Sequence, residues 1–390
     1  MVDVLIIGAG PAGSTVATLL AKAGFSVTIV ERAVFPRAKV CGEYLSPANL
    51  PVFRRLGILD QFLDLAGPEI TRVAGFNKGV TIEAPMPKGT GLYGRALRRE
   101  VLDTLLLDNA VDHGVTIMQP AMVVSANRED SGRVRSIIEI DNGQVEILSD
   151  LTVAAHGSWT IGKLHSQQRT APLKASDLLA FKTHYRGSSL PADLMPMLAF
   201  PGGYGGMVTC DDGYASLSCC IRRTALVSAR KAFPTLAAGE SVREYIKIHC
   251  RGFADVISGA IEGDWLSAGV IRPGGHFRYD DTLFAVGNAA GESHPIIAEG
   301  ITMAIRSAEL FANCLIGHSG DQASLAKDYE SRWRSEFMPR IRFSAMASRL
   351  AISPAVCSAL RPVVLAFPSI LTAGATFAGK AADPTRSFAA

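Results

Sequence analysis

An α/β fold, with a discontinuous doubly wound domain, a second and mostly antiparallel β domain, and helices toward the C-terminus, is predicted by three features of the sequence. First, a short run rich in β-branched residues, Val2 to Ile7, leads straight into Gly8-Ala-Gly10-Pro-Ala-Gly13. A helical stretch and a second β-branched run, Phe25 to Val30, follow. Second, Val115 to Asn127 and Arg133 to Ile147 alternate like the strands of a meander, with Asp141-Asn142-Gly143 as a hairpin turn. Third, the stretch from Asp177 to Trp265 changes character, with turn clusters at 201–206 and 211–213 between strand-like segments.

The first segment carries the most specific signal. Gly8 permits a tight turn, Gly10 has no side chain and lets backbone approach a pyrophosphate, and Gly13 lets the helix pack close to the strand. The helix N-terminus offers unpaired N–H groups to phosphates. Glu31 lies about twenty residues beyond the glycines, where a carboxylate can bond both ribose hydroxyls and would repel a 2′-phosphate. A lone Gly-x-Gly-x-x-Gly is a common turn. The strand before it, the helix after it and the acid at that distance mark a dinucleotide site. The motif by itself leaves FAD and NAD open.

A chain of 390 residues can bury a large core and is expected to form two domains. With 48% hydrophobic and 19% charged residues it suits a compact, rather apolar globular protein. A net charge of +3 without a basic run argues against nucleic acid. The seven cysteines are scattered with no Cys-x-x-Cys pair, so neither a metal site nor a disulfide framework is expected. The glycine motif starts too early for a signal peptide, and a cytoplasmic location is expected.

The loop from Phe35 to Pro47 is dense in chemistry. Arg37 and Lys39 can neutralise phosphate or a reduced, anionic flavin, and Cys41-Gly42 lets backbone come near a flat ring; a solvated surface loop is the alternative. Leu50 to Leu65 reads as a helix interrupted at Gly57, and Ile70 to Pro87 as hairpin material. From Arg99 to His113 an amphipathic helix is closed by Gly114. Arg99 in its first turn opposes the helix dipole and points to an anionic partner such as pyrophosphate, or else to simple exposure. An apolar strand from Leu151 runs into His156-Gly157-Ser158, and a helical stretch lies near 241–250. The strand Leu283 to Val286 ends in Gly287-Asn288-Ala-Ala-Gly291, followed by Pro295 and a helix near Gly300. This reads as a second strand–turn–helix anion site, with an ordinary glycine-rich turn as the alternative. Residues 345–378 are strongly apolar but interrupted by Pro354, Pro362 and Pro368, whereas a spanning helix needs about twenty unbroken apolar residues. Helices packed on the core are expected there, with peripheral membrane contact left open. The expected partition is 1–69, 95–165 and 270–330 for the cofactor domain, 70–94 and 166–269 for the substrate domain, and 331–390 for the C-terminal helical region.

Taken together, these residues resemble the flavoprotein superfamily containing para-hydroxybenzoate hydroxylase, geranylgeranyl reductases and flavin-dependent halogenases. The Gly8/Gly10/Gly13 turn with Glu31, the Arg99-x-x-Leu102-Asp103 helix start, and Gly287-Asn288-Ala-Ala-Gly291…Pro295…Gly300-Ile301 match three FAD-contacting stretches in order. Phe35-Pro-Arg-x-Lys39-x-Cys41-Gly-Glu43 and Ala-Ala-Gly291 are most similar to the geranylgeranyl reductase branch. The resemblance implies a Rossmann-type FAD-binding domain with non-covalent FAD. It assigns to the cofactor Gly8, Gly10, Pro11, Ala12, Gly13, Glu31 and Arg32, then Lys39, Cys41, Gly42, Arg99 and Val123, then Gly287, Asn288, Gly291, Pro295, Gly300 and Ile301. Cys41 and Pro295 are implied nearest the chemistry, and Tyr204, Gly205 and Met207 in the substrate wall.

Three departures shape the expectation. Asn288 stands where relatives usually carry Asp, and His156-Gly157 where many hydroxylases carry Asp-Gly. Gly203-Tyr204 is followed by Gly205-Gly206-Met207 rather than the prenyl reductases' Trp and Phe-Pro pattern, which suggests a different pocket. The only tryptophans, Trp159, Trp265 and Trp333, do not form the halogenase Trp-x-Trp-x-Ile-Pro motif. The leading expectation is a monooxygenase that hydroxylates an apolar or aromatic small molecule through a flavin hydroperoxide. The alternative is a reductase of carbon–carbon double bonds, and the third reading is a flavin-bound protein without turnover. Electrons would come from transiently bound NAD(P)H or a donor protein; no second Gly-x-Gly-x-x-Gly sits in strand–helix context, so a resident NAD domain is not expected.

Overall fold

The computed structural model describes residues 2–88, 91–157, 164, 166–167, 172, 174–277 and 282–381. Ser158, Trp159, the expected boundary at 165, Asp281 and residues 382–390 lie outside the described residues.

Strand Val2–Ile7 does not alternate because both of its faces are covered. Val4 and Ile6 pack with Val16, Leu20 and Ile305, while Leu5 and Ile7 pack with Val30, Val123 and Ile138. Helix Pro11–Lys22 follows, with Pro11 in the first turn, where a missing N–H is harmless. Strands Thr116–Met118, Val27–Val30 and Val2–Ile7 run parallel, in that spatial order, beside Gly143–Ala154. Strands Val134–Ile140 and Met122–Arg128 continue the sheet as an antiparallel meander.

The apolar segment at Leu151, expected as a strand of its own, is the second half of that 12-residue strand Gly143–Ala154. Its first half pairs antiparallel with Val134–Ile140. Its second half pairs parallel with Val2–Ile7 and, through Val153 and Ala154, with the short strand Phe284–Ala285. One strand thus joins the meander to the dinucleotide core.

A second seven-stranded sheet runs Ala260–Ile271, Leu178–Arg186, Ala215–Arg222, Gly203–Thr209, Leu194–Phe200, Arg72–Asn77, Val80–Pro85. It is antiparallel except where Leu194–Phe200 meets Arg72–Asn77. Helices Ala238–His249 and Arg251–Val256 cover one face, putting Val242, Ile246 and Phe253 against Phe76, Phe200 and Leu217. The fold is therefore α/β with two large sheets, as the sequence predicts.

Helix Gly300–Ile316 packs on Pro11–Lys22, and the 31-residue helix Gln322–Ile352 runs alongside it toward the second sheet. Helices Pro354–Ala366 and Ser369–Phe377 follow. Pro354 starts a helix and Pro368 caps one, but Pro362 lies inside helix Pro354–Ala366. The carbonyl that Pro362 leaves without a helical donor belongs to the exposed Ser358, where water can satisfy it.

Candidate cofactor and substrate site

The first glycine turn is built by close approach. Gly8 has φ +106°, and a Cβ there would stand 2.8 Å from the Ala155 carbonyl oxygen. A Cβ on Gly13 would stand 1.8 Å from the Gly8 oxygen. Gly10 differs: a Cβ there meets only Arg37 Nη2, at 3.7 Å, so its bareness opens the cleft rather than relieving an internal clash. Glu31 ties the second strand to this turn. Its carboxylate accepts from Ala9 N at 2.8 Å and from Ala33 N at 2.9 Å. Each oxygen retains a further lone pair for a ribose hydroxyl.

A cavity of about 680 Å³ runs from this turn to the second sheet. Gly8, Gly10, Pro11, Ala12, Glu31 and Arg32 border one end. Lys39, Cys41, Gly42, Arg99 and Val123 line its middle, and Asn288, Pro295, Gly300 and Ile301 close the opposite wall. Gly13, Gly287 and Gly291 stand behind this lining. A Cβ on Gly287 would meet Ala12 Cβ at 2.9 Å, and one on Gly291 would meet the Trp333 ring at 2.3 Å. These two glycines let the second turn nest against the first and against Trp333.

The Phe35–Pro47 loop forms the cavity's middle wall. Arg37 reaches Asp103 at 3.4 Å and Glu31 at 4.0 Å, and stacks over Phe35. Burial, aided by Arg99 and Arg37, pushes the Lys39 ammonium down to about 8. Arg99 is bound within its own helix: Nε and Nη2 donate to Asp103 at 2.7 and 2.6 Å. This i,i+4 carboxylate answers the charge that the sequence assigns to an anionic partner. The Arg99 guanidinium also stands within reach of the Cys41 sulfur.

Glu43, two residues past Cys41, is fully buried with a left-handed backbone (φ +60°). Its carboxylate pairs with the buried Lys182 and accepts from His184 Nε2 at 2.8 Å and from Arg99 N at 3.0 Å. Its own N–H donates to Cys41 Sγ at 3.4 Å. Burial works against the charged form, but the hydrogen bond from His184 and the charge of Lys182 hold the carboxyl at about 2. Glu43 therefore fastens the Cys41 loop simultaneously to the helix at Arg99 and to strand Leu178–Arg186 of the other sheet.

A second buried pair fastens the opposite wall. Ala298 is left-handed (φ +48°), and Glu299 follows it directly at the start of helix Gly300–Ile316. Lys380 donates to Glu299 Oε1 at 2.6 Å and to the Ala298 carbonyl at 2.8 Å, and lies over the Tyr44 ring.

Apolar residues of the second sheet, Met195, Met197, Ala268 and Ile271, face the remaining space together with Tyr204. The Tyr204 hydroxyl lies 3.3 Å from His294 Nδ1. Burial pushes the Tyr204 phenol well up and, with Arg349 adding to it, the His294 imidazole down to about 4. Gly205 and Met207 border the cavity along the same strand, but Met207 packs with the core shared by Phe76 and Leu217, and a Cβ on Gly205 would meet Cys219 Cβ at 2.8 Å. His156 also lines the cavity, held by Gly157 O at 2.8 Å and Ser166 Oγ at 2.9 Å.

These residues fit FAD. The open space at Gly10 lies at a helix N-terminus, Gly300 begins a second helix with nothing within 4 Å of its Cβ position, and cations flank the route between them. The roles of Lys182, His184 and Lys380 are not visible in the sequence. The signal nearest to hand is Glu43 itself, a carboxylate beside Cys41-Gly42 in a loop dense in chemistry.

Comparison with known proteins agrees. Residues 1–191 match the family described as FAD binding domain. Menaquinone reductase of Mycolicibacterium smegmatis is 34% identical over 162 residues, a match spanning 42% of this chain and only 39% of that protein. Digeranylgeranylglycerophospholipid reductase 2 of Methanopyrus kandleri is 28% identical over 369 residues, covering 89% of this chain and 86% of that one. Among solved structures, the myxobacterial chondrochloren halogenase superposes with a TM-score of 0.75 at 20% identity, covering 96% of this chain and 90% of that one, a likeness of fold. Residues 1–191 thus match an FAD binding domain, and the chain as a whole has the fold of that FAD-dependent halogenase.

Proposed function

We propose that this protein is an FAD-dependent reductase that saturates a carbon–carbon double bond in an apolar, lipid-like substrate, with electrons drawn from a transiently bound nicotinamide or a donor protein. The observation that carries this reading is the apolar wall of Met195, Met197, Ala268 and Ile271, which holds the phenol of Tyr204 that burial keeps protonated. FAD bound here and reduced by that donor would supply hydride to one carbon of the double bond. The other carbon needs a proton, and the Tyr204 hydroxyl, hydrogen-bonded to His294, can hold and deliver one. Lys39 and Arg37 hold positive charge along the cleft, and Glu43 keeps their loop in register. The similarity to two proteins named as reductases, one over most of its length, supports the same reading.

Hydroxylation by a monooxygenase is the second reading. Gly206, on the same strand face as Tyr204, keeps the wall flat enough for a compact aromatic ring. Anaerobic turnover separates the two. With NAD(P)H, and menaquinone or digeranylgeranylglycerophospholipid as probes, the reductase yields a product heavier by two hydrogens without oxygen. Turnover that stops without oxygen and adds an oxygen atom to the product would establish the monooxygenase instead.

A further inference from the structure

Helix Pro354–Ala366 buries none of its residues, and helix Ser369–Phe377 buries only Ala375. Between them they leave Leu360, Val363, Leu365, Phe367, Ile370 and Phe377 from 42% to 72% exposed. Five large apolar side chains on two consecutive helices, with Phe367 between the helices, form a patch of the kind that marks an interaction site. The charges carried by these two helices and the end of the helix before them have one sign. No Asp or Glu occurs from 337 to 381, whereas Arg342, Arg349 and Arg361 are exposed, and Lys78 donates to Ser358 at the patch's edge.

We propose that this face docks on an anionic phospholipid bilayer, with the two helices lying in the interface. The charge favours that occupant over a second copy of the chain, because a self-complementary contact would set these cations against each other. Interfacial binding combines buried apolar side chains with attraction of arginines to anionic headgroups, and both are present here. Among the described residues no single helix is long and apolar enough to cross a membrane, and the chain bends by 99° between helices Gln322–Ile352 and Pro354–Ala366. The inner side of the docking element reaches the site: Leu371 and Ala375 pack with Met195 and Met197, which line the cavity. The bilayer would then lie against the apolar end of the cavity. Docking does not depend on which reaction the protein performs, and it is measured without turnover.

The test is co-sedimentation of the FAD-loaded full chain with vesicles of phosphatidylglycerol and phosphatidylcholine in equal parts, and with phosphatidylcholine vesicles alone. Wild type should bind the anionic vesicles, less so at high salt, and bind the zwitterionic ones weakly. The double variant Phe367→Ser, Phe377→Ser should lose about tenfold or more in binding. Arg342→Gln with Arg361→Gln should weaken binding to anionic vesicles only. Unchanged FAD content in each variant shows that the fold survives. No binding by wild type, equal binding to both vesicle types, or wild-type binding by the double serine variant would overturn the proposal. So would a wild-type dimer that the double serine variant dissociates, because it would assign the face to a second copy.

Discussion

Replacing Glu43 with glutamine keeps the shape of the side chain but strands the buried Lys182 without its counter-ion. The magnitude can be worked in two ways. A carboxyl held near 2 instead of 4.5 reflects ~3 kcal/mol of preference for the charged form in the folded protein. Removing one member of a buried ion pair costs about 3–5 kcal/mol. Urea unfolding at neutral pH should therefore show Glu43→Gln destabilised by ~3 kcal/mol. Adding Lys182→Met should return part of that loss, because the second change removes the stranded charge. The pH dependence has a definite sign. The folded-state value is depressed, so the contribution is fully present above 4.5 and disappears as pH falls toward about 2. Wild type should lose stability across that window, and Glu43→Gln should lack this part of the decline. A Glu43→Gln protein within about 0.5 kcal/mol of wild type, or one with the same acid limb, would refute the reasoning.

Three further outcomes are expected. Gly10→Val should lose FAD, read from the absorbance of the purified protein, while circular dichroism stays native, because its Cβ position meets only Arg37 at 3.7 Å. FAD affinity should fall as pH rises through about 8, where the Lys39 ammonium between Arg37, Arg99, Asp103 and Glu31 gives up its proton; bound phosphate would move the step upward, and titrations with Lys39→Met should show no such step. Cys41→Ala should keep FAD and change turnover severalfold, on the order of 1 kcal/mol in transition-state binding; unchanged kinetics with the true substrate would leave Cys41 as packing.

What the sequence discloses here is what lies close together along it. The first turn, its helix and Glu31 fall within one unit, and each has a residue type that the local backbone demands. Gly57 and Gly143 mark real turns for the same reason, with φ of +88° and +131°. The anchoring of the cavity is different. Glu43 and Lys182 are 139 residues apart, and no periodicity joins them. Glu299 and Lys380 are 81 apart. Arg99 illustrates a subtler miss: its partner Asp103 stands in the quoted motif, but reasoning from the helix dipole sends the charge outward, whereas an i,i+4 carboxylate was the nearer solution. Tyr204 and Met207 both border the cavity from one strand, and only the pleat decides that they pack into different core clusters.

The Lys380 tether has a consequence in time. The floor of the cleft is laid down by residues 8–13, but its far wall at Ala298 and Glu299 is fastened by Lys380, which leaves the ribosome about eighty residues after that wall. A chain emerging from N- to C-terminus thus carries an unlatched cofactor cleft until Lys380 has been made. FAD taken up early would meet a site whose loops are still loose, and its tight retention would report that translation has passed residue 380.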